Sequence, residues 1–141
     1  MDIIFLNSEI LFNLGKNLKL DTIVNINLLK YHSQAKFVLT DETSQPFYQL
    51  KDKLHHNGYP IVAIDRIPYD IEAQKGHKID LWIQNNPCNK FVIIDTDSKA
   101  KEIKKWYDNV VGVDPKEGFD KMKRKITLSF LGKTHKDRNE K

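Results

Sequence analysis

The feature that most constrains the fold is an alternation of short apolar runs with longer amphipathic stretches. The runs are rich in β-branched and aromatic residues and span Asp2–Leu6, Lys36–Thr40, Pro60–Ile64, Lys90–Asp95 and Asn109–Val113. Continuous apolar runs of this length are typical of parallel strands that are covered on both faces. We therefore predict five buried strands.

The stretches between these runs place apolar residues at helical spacing. The predicted helices are Asp21–Ser33 with Asp21 as N-cap, a helix capped by Ser44 and ended by Asn57-Gly58, a helix around Ile79–Ile83, a helix around Ala100–Tyr107, and a helix from Pro115 to Ile126. Strands that alternate with helices form parallel sheets with right-handed crossovers. The sequence thus predicts a single-domain, three-layer Rossmann-like α/β fold with a parallel sheet of about five strands.

The net charge of +4 is unevenly distributed. Residues 1–120 carry 15 Lys or Arg against 17 Asp or Glu, whereas residues 121–141 carry 8 against 2. We expect residues 1–126 to form the domain and residues 127–141 to form a basic tail. A basic segment attracts phosphate backbones or an acidic protein surface, and it also serves simply as a solvated terminus. The candidate contacts for a nucleic-acid or protein partner are Lys121, Lys123, Arg124, Lys125, Lys133, Lys136 and Arg138.

Several protein classes are excluded by composition. No apolar run approaches the roughly 20 residues that span a bilayer. The first residues have no basic region ahead of an apolar one, so they do not resemble a secretory signal. A single cysteine, Cys88, cannot form an internal disulfide. We expect a cytoplasmic protein without a membrane partner.

Polar residues follow each predicted strand. They are Asn7–Glu9, Thr40–Glu42, Asp65-Arg66, Asp95–Asp97 and Asp114. In parallel sheets, ligands bind outside the carboxyl ends of the strands, where the strand order reverses. These residues are therefore candidates for a ligand site, although the same residue types also form turns and helix caps.

Taken in order, these strand ends resemble the haloacid dehalogenase (HAD) superfamily of phosphotransferases. The segments that carry the resemblance are IIFLNSEILF, FVLT, KGHKIDLWI and FVIIDTD, followed by Val113-Asp114-Pro115 and Gly118-Phe119. More narrowly, residues 2–126 are similar to the small HAD domains of RNA-repair proteins, relatives of polynucleotide 3′-phosphatases. The resemblance implies a HAD-like fold.

The first of these segments departs from the family at the catalytic position. In the family, the first strand ends in Asp-x-Asp, whose first Asp is the nucleophile and whose second is a general acid/base. Here Asn7 stands in place of the nucleophile, and Glu9 in place of the second acid. A neutral carboxamide is a far poorer nucleophile than a carboxylate, so we expect no intact catalytic centre.

The other segments imply ligand-binding roles. By the resemblance, Thr40 and Lys75 bind phosphate, while Asp95, Asp97 and the amide oxygen of Asn7 hold magnesium. An amide oxygen contributes no charge to such a cage, so magnesium binding is expected to be weak.

The predicted function is that of a catalytically degenerate HAD-like domain that acts as a binding or regulatory protein. A viral inhibitor or modulator of host nucleic-acid or transcription machinery fits this description. The alternative is a magnesium-dependent phosphatase that acts on a nucleotide or a nucleic-acid 3′ end.

Two aromatic positions lie outside these motifs. Trp106 and Tyr107 are adjacent and cannot share one helix face, so we expect at least one of them to be exposed and available to stack on a base or a partner. His77 lies within the KGHKIDLWI segment and is a candidate contact for a ligand at the rim.

Overall fold

The strand–helix alternation of the sequence is present in the computed structural model, which describes residues 1–12, 14–40, 45–59, 61–67 and 74–133. The elements are β1 (Ile3–Leu6), a 3-10 turn (Ser8–Leu11), α1 (Lys16–Ser33), β2 (Lys36–Leu39), α2 (Phe47–His56), β3 (Ala63–Arg66), α3 (Lys75–Asn85), β4 (Phe91–Thr96), α4 (Asp97–Ile103), β5 (Val110–Val113) and α5 (Lys121–Phe130).

The strands form a parallel sheet in the order β3-β2-β1-β4-β5. The chain moves outward from β1 to β3 and then returns to the other side of β1, so the order reverses between β1 and β4. Leu6 of β1 pairs with Leu39 on one side and with Ile94 on the other. The residues that follow, Asn7, Thr40 and Asp95, therefore lie side by side at the carboxyl edge of the sheet.

Alternate strand residues pack against helices on opposite faces of the sheet. Ile4 and Leu6 belong to a core cluster with residues of α1, α2 and α5, and Ile3 and Phe5 belong to a second cluster with residues of α3 and α4. This arrangement confirms the predicted three-layer α/β fold. Because side chains alternate along a strand, Asn7 and Asp95 continue the series that faces α3 and α4. No helix in the described ranges is long and apolar enough to span a membrane.

Strand β3 lies further along the chain than predicted. It spans Ala63–Arg66 instead of Pro60–Ile64, and Val62 is exposed; Pro60 lies outside the described residues. β3 is an edge strand of the described sheet, and its register with β2 shifts between Phe37 and Val38. An edge strand needs less apolar character than a central one, so the more apolar run was a poor guide to its position.

The starts of two helices also differ from the prediction. α1 begins at Lys16 with Gly15 as N-cap, which offers no side-chain bond to the helix. Asp21, the predicted cap, lies inside α1, where its carboxylate accepts a bond from Nδ2 of Asn25. The predicted cap Ser44 lies outside the described residues. α4 ends at Ile103, before Trp106 and Tyr107.

The last helix starts and ends later than predicted. Gly118 adopts a positive φ of 73°, which interrupts a helix, and the Asp120 side chain accepts a bond from the backbone N–H of Lys123 at the new helix start. α5 continues to Phe130, and Leu128 and Leu131 are buried in the core. The packed domain therefore extends past residue 126, where we expected the basic tail to begin.

Candidate active site

Asn7 forms a side-chain contact between the ends of the adjacent strands β1 and β4. It is buried directly after β1, and its Nδ2 donates a hydrogen bond of 3.0 Å to Oδ1 of Asp95. Its Oδ1 accepts a bond of 3.0 Å from the backbone N–H of Glu9. A backbone N–H can only donate and an ionised carboxylate can only accept, so these two bonds fix the orientation of the amide.

Asp95 is fully buried in β4, and both of its carboxylate oxygens accept hydrogen bonds. Oδ2 lies 2.7 Å from Nζ of Lys75, and Oδ1 also accepts a bond of 2.7 Å from the backbone N–H of Thr96. A buried charge is costly unless it is paired and hydrogen-bonded, and the Lys75 ammonium supplies the compensating charge. We call Asn7, Lys75 and Asp95 the strand-end cluster.

Lys75 reaches Asp95 because it is the first residue of α3. The helix after β3 in a parallel sheet starts at the carboxyl edge, so this lysine lies at the same edge as the strand ends. The ion pair joins α3 to the centre of the sheet. The structure thus brings together three residues to which the resemblance assigned the nucleophile position, phosphate binding and magnesium binding.

Thr40 is the fourth predicted site residue at this edge. Its backbone N–H donates to the carbonyl of Leu6, which places it beside Asn7. Its hydroxyl is buried and has no hydrogen-bond partner among the described residues. Buried polar atoms in proteins are normally satisfied, so the unpaired Thr40 hydroxyl is a candidate contact for a bound group.

Helix α3 adds further donors at the same edge of the sheet. Its N-cap, Gln74, makes no side-chain hydrogen bond to the helix. The first N–H groups of a helix have no partners within the helix, and together they favour anions. The edge therefore presents the Thr40 hydroxyl and the first N–H groups of α3 as donors to negative charge.

The predicted magnesium ligands are not arranged as a cage. Asp97 is exposed as the first residue of α4, and its Oδ1 lies 2.6 Å from the position that a Cβ on Gly112 would occupy. Gly112 belongs to β5, so Asp97 faces the side of β4 that is turned away from Asn7. Within the described part of the chain, no three His, Cys, Asp or Glu residues form a group suited to a metal ion.

The strand-end cluster itself is also a poor fit to magnesium. Mg²⁺ requires oxygen ligands in near-octahedral geometry. Asn7 turns its nitrogen, and not its oxygen, toward Asp95, and the Asp95 oxygens already accept bonds from N–H groups. The residues present, as they are arranged, do not fit the predicted metal site.

Glu9, the predicted second acid, lies half-buried in the turn that follows β1. Its backbone N–H is the group that holds the amide oxygen of Asn7. The local sequence therefore explains the position of residue 7: the 3-10 turn begins with Asn7 as its N-cap, as expected for an Asn that follows a strand.

The basic residues of the C-terminal segment occupy different environments. Arg124 is buried, and its Nε donates to Oδ1 of Asn25 at 3.0 Å, so it joins α5 to α1 and does not belong to an exposed contact surface. Lys133 donates to the carbonyl of Ser33 and lies 3.4 Å from Asp2. Lys121 is exposed, and Lys123 and Lys125 are half-buried. Lys136 and Arg138 lie outside the described residues.

One polar contact near the site was missed by the sequence analysis. Nε1 of Trp82 donates to Oδ2 of Asp65 at 2.8 Å, while its ring packs edge-on against Phe5 at 5.4 Å between centroids. We expected Trp82 to pack in the core by helical spacing, and it is half-buried there. The signal was available, because a buried indole N–H usually needs an acceptor and Asp65 is the acid of the neighbouring strand.

Comparison with known families identifies the family to which this fold belongs. A model of the HAD domain in Swiss Army Knife RNA repair proteins matches residues 8–123. The match begins one residue after Asn7, so the replacement of the nucleophile stays a prediction from the sequence pattern. Searches of curated proteins and of solved structures each gave no match. The family match covers most of the chain, and this protein therefore belongs to the HAD domain family of Swiss Army Knife RNA repair proteins.

Proposed function

We propose that this domain has lost phosphoryl transfer and acts by binding a phosphate-bearing partner. The observation that carries the proposal is the hydrogen bond from Nδ2 of Asn7 to Asp95. Covalent phosphoryl transfer needs a nucleophilic oxygen at the strand end. The Asn7 oxygen instead accepts the N–H of Glu9, and the nitrogen faces the buried acid.

The pairing of Asp95 supports the same proposal. The Lys75 ammonium and the Thr96 N–H occupy the carboxylate oxygens that a metal-dependent phosphatase would use for its cation. Within the described residues, the cluster pairs one ammonium with one carboxylate. It needs no metal ion to compensate its charge.

The binding half of the proposal rests on the donors at the carboxyl edge. The buried Thr40 hydroxyl and the first turn of α3 are suited to a phosphate group, and the lysines of α5 provide a second basic surface. A domain that holds a phosphate-bearing partner without consuming it is suited to a regulator or inhibitor of nucleic-acid or transcription machinery.

Hydrolysis of p-nitrophenyl phosphate with and without Mg²⁺ tests the loss of catalysis. The wild type is expected to show no turnover above background, and Asn7→Asp, which restores a carboxylate at the strand end, is expected to raise turnover. The double variant Asn7→Asp/Asp95→Asn is the matched control for that gain. Magnesium-dependent turnover by the wild type, abolished in Asp95→Asn, would instead support the second candidate, a phosphatase of nucleotide or nucleic-acid 3′ ends, which the family match favours.

Binding of a 3′-phosphorylated oligonucleotide, compared with its unphosphorylated form, tests the phosphate site. Thr40→Val keeps the side-chain shape and removes the hydroxyl, so it is expected to remove most of the preference for the phosphorylated form. Ser129→Ala, which removes an exposed hydroxyl from α5, is the matched control. An unchanged preference in Thr40→Val would contradict this part of the proposal.

A further inference from the structure

An exposed aromatic surface lies beside the first turn of α3. The Trp106 side chain is 44% exposed, and its indole N–H has no hydrogen-bond partner in the described ranges. Its ring rests on Gly76, where a Cβ would lie only 2.4 Å from Cδ1 of the indole. The His77 ring is 5.8 Å away, with the two ring planes at 47°. We call these two rings the Trp106–His77 platform.

The platform is held in place by its neighbours. The backbone N–H of Trp106 donates to the carbonyl of Ile103 at 2.8 Å. Next to it, the Tyr107 hydroxyl donates to Asp80 of α3 at 2.7 Å, and the Tyr107 ring packs edge-on against Phe91 at 5.2 Å. Burial, together with this bond to Asp80, raises the pKa of Tyr107 above its usual value, so the donor stays protonated. An exposed ring that is already fixed loses little further entropy when a ligand stacks on it.

Lysines lie close to Trp106 in the sequence, and two exposed acids, Asp97 and Asp108, flank the same stretch. Residues 99–106 contain four lysines and one acid, Glu102. Lys101, Lys104 and Lys105 are exposed, and the described part of the chain offers them no ion-pair partner. Lys104 and Lys105 immediately precede Trp106 in the sequence.

An exposed indole beside exposed lysines fits one class of ligand best. Proteins that bind single-stranded nucleic acid combine cationic groups for the backbone with aromatic rings on which unpaired bases stack. An acidic peptide would satisfy the lysines but would not use the flat face of the indole. A duplex would offer phosphates but no free base face.

We propose that the Trp106–His77 platform stacks an unpaired base of a single-stranded nucleic acid, while Lys101, Lys104 and Lys105 hold its phosphates. This inference rests on the proposed binding function and deepens it by naming the partner. The platform adjoins the first turn of α3, whose Lys75 contacts Asp95, so the strand would run beside the carboxyl edge of the sheet.

Binding of a short, unstructured, labelled oligonucleotide to the full chain tests the proposal. Trp106→Ala is expected to weaken binding by about tenfold or more, because base–aromatic stacking contributes on that scale. Trp106→Phe keeps an aromatic face and is expected to retain most of the affinity. Tyr31→Ala, which removes an exposed aromatic ring from α1, is the matched control and is expected to change nothing.

Tryptophan emission gives a readout that a purely structural role would not change. The chain has two tryptophans, Trp82 and Trp106. Stacking is expected to quench the wild type, whereas Trp106→Phe, which leaves only Trp82, is expected to lose the quench while still binding. Replacing Lys101, Lys104 and Lys105 together by Gln is expected to lower the salt dependence of log K by about 2, at about 0.7 per phosphate contact on a single strand.

Three results would overturn the proposal. They are equal affinity of the wild type and a folded Trp106→Ala, binding without any change in emission, and competition by polyglutamate as strong as that by the oligonucleotide. If Trp106→Ala does not fold, the lysine triple variant and Trp106→Phe decide the matter. Absence of oligonucleotide binding would contradict this inference without affecting the proposed loss of catalysis. Phosphatase turnover by the wild type would contradict the proposed loss of catalysis without affecting the proposal for the platform.

Discussion

The strand-end cluster and the Trp106–His77 platform meet at the same end of α3, yet they differ in how their polar groups are used. In the cluster, Asn7, Lys75 and Asp95 bind one another in the interior. On the platform, the Trp106 indole N–H has no partner in the described ranges, and lysines project into solvent. Groups that satisfy each other in the interior stabilise the fold and offer little to a substrate. The capacity to bind a partner lies with groups outside the strand-end cluster.

The largest effect is expected from removing the charge that compensates Asp95. Lys75→Met leaves a fully buried carboxylate without its ammonium, and breaking such a pair costs about 3–5 kcal/mol. Urea unfolding measures the loss. Adding Asp95→Asn in the same chain removes the uncompensated charge and is expected to recover a large part of it. A loss of unfolding free energy below about 1 kcal/mol is typical of an exposed ion pair. Such a small loss would contradict the claim that Lys75 and Asp95 form a buried, stabilising pair.

A smaller loss is expected for Asn7→Asp. The substitution places a second carboxylate 3.0 Å from Asp95 and replaces a donor by an acceptor, at a cost of about 2–3 kcal/mol. Chemical denaturation without divalent cations is the measurement. The neutral control Asn7→Ser is expected to cost less, because it loses the bond without adding a charge. Equal stability of Asn7→Asp and the wild type would show that the amide does not stabilise the cluster.

Gly76→Ala tests whether the packing of the Trp106 ring on Gly76 positions the platform. The added Cβ would meet the Trp106 ring at 2.4–2.9 Å, so the ring must move, which costs about 1–2 kcal/mol. The temperature of thermal unfolding and the affinity for the oligonucleotide are both expected to fall. Gly15→Ala is the control, because a Cβ there meets nothing within 4 Å. Unchanged oligonucleotide affinity in Gly76→Ala would argue that the position of the indole does not matter.

The smallest effect is expected for removal of the Tyr59 hydroxyl. This residue is buried in the core cluster on the other face of the sheet. Its hydroxyl donates to the carbonyl of Leu11 at 2.8 Å, and burial raises its pKa above the usual value. Tyr59→Phe is expected to cost about 1 kcal/mol. A raised folded-state pKa gives stability that is complete below the unfolded pKa of about 10 and is lost as the pH rises above it.

The difference between wild type and Tyr59→Phe should therefore shrink above about pH 10 in unfolding experiments across the alkaline range. A difference that stays constant there would mean that the Tyr59 hydroxyl ionises equally well in both states. Such a result would separate this simple buried hydrogen bond from the charged contacts of the strand-end cluster.

The sheet and the edge residues were predictable because continuous apolar runs leave few alternatives. β1, β2, β4 and β5 lie within a residue or so of their predicted bounds. Because the predicted strands are parallel, their carboxyl ends lie at one edge of the sheet. Asn7, Thr40 and Asp95 are therefore expected at that edge together. The position of β3 was predicted wrongly because an edge strand tolerates polar residues such as Asp65 and Arg66, which an apolar pattern does not identify as strand residues.

The pairing inside the cluster was not predictable from the chain alone. The resemblance placed Lys75 near a phosphate, but its bond to Asp95 depends on where α3 begins in space. The orientation of the Asn7 amide depends on the N–H of Glu9, a backbone group that no side-chain motif records. Asp97 was expected beside Asp95, and the start of α4 turns it toward Gly112.

The most direct test of the central claim is a magnesium titration monitored by thermal unfolding of the wild type and Asn7→Asp. The account predicts that Mg²⁺ leaves the wild-type Tm unchanged relative to an equal ionic strength of NaCl, because the Asn7 amide and the Lys75 ammonium already occupy Asp95. It predicts that Mg²⁺ raises the Tm of Asn7→Asp, because the substitution adds a second carboxylate beside Asp95 for a cation to bind, and a ligand that binds only the folded state stabilises it. A saturable Mg²⁺-dependent rise in the wild type that disappears in Asp95→Asn would contradict the claim.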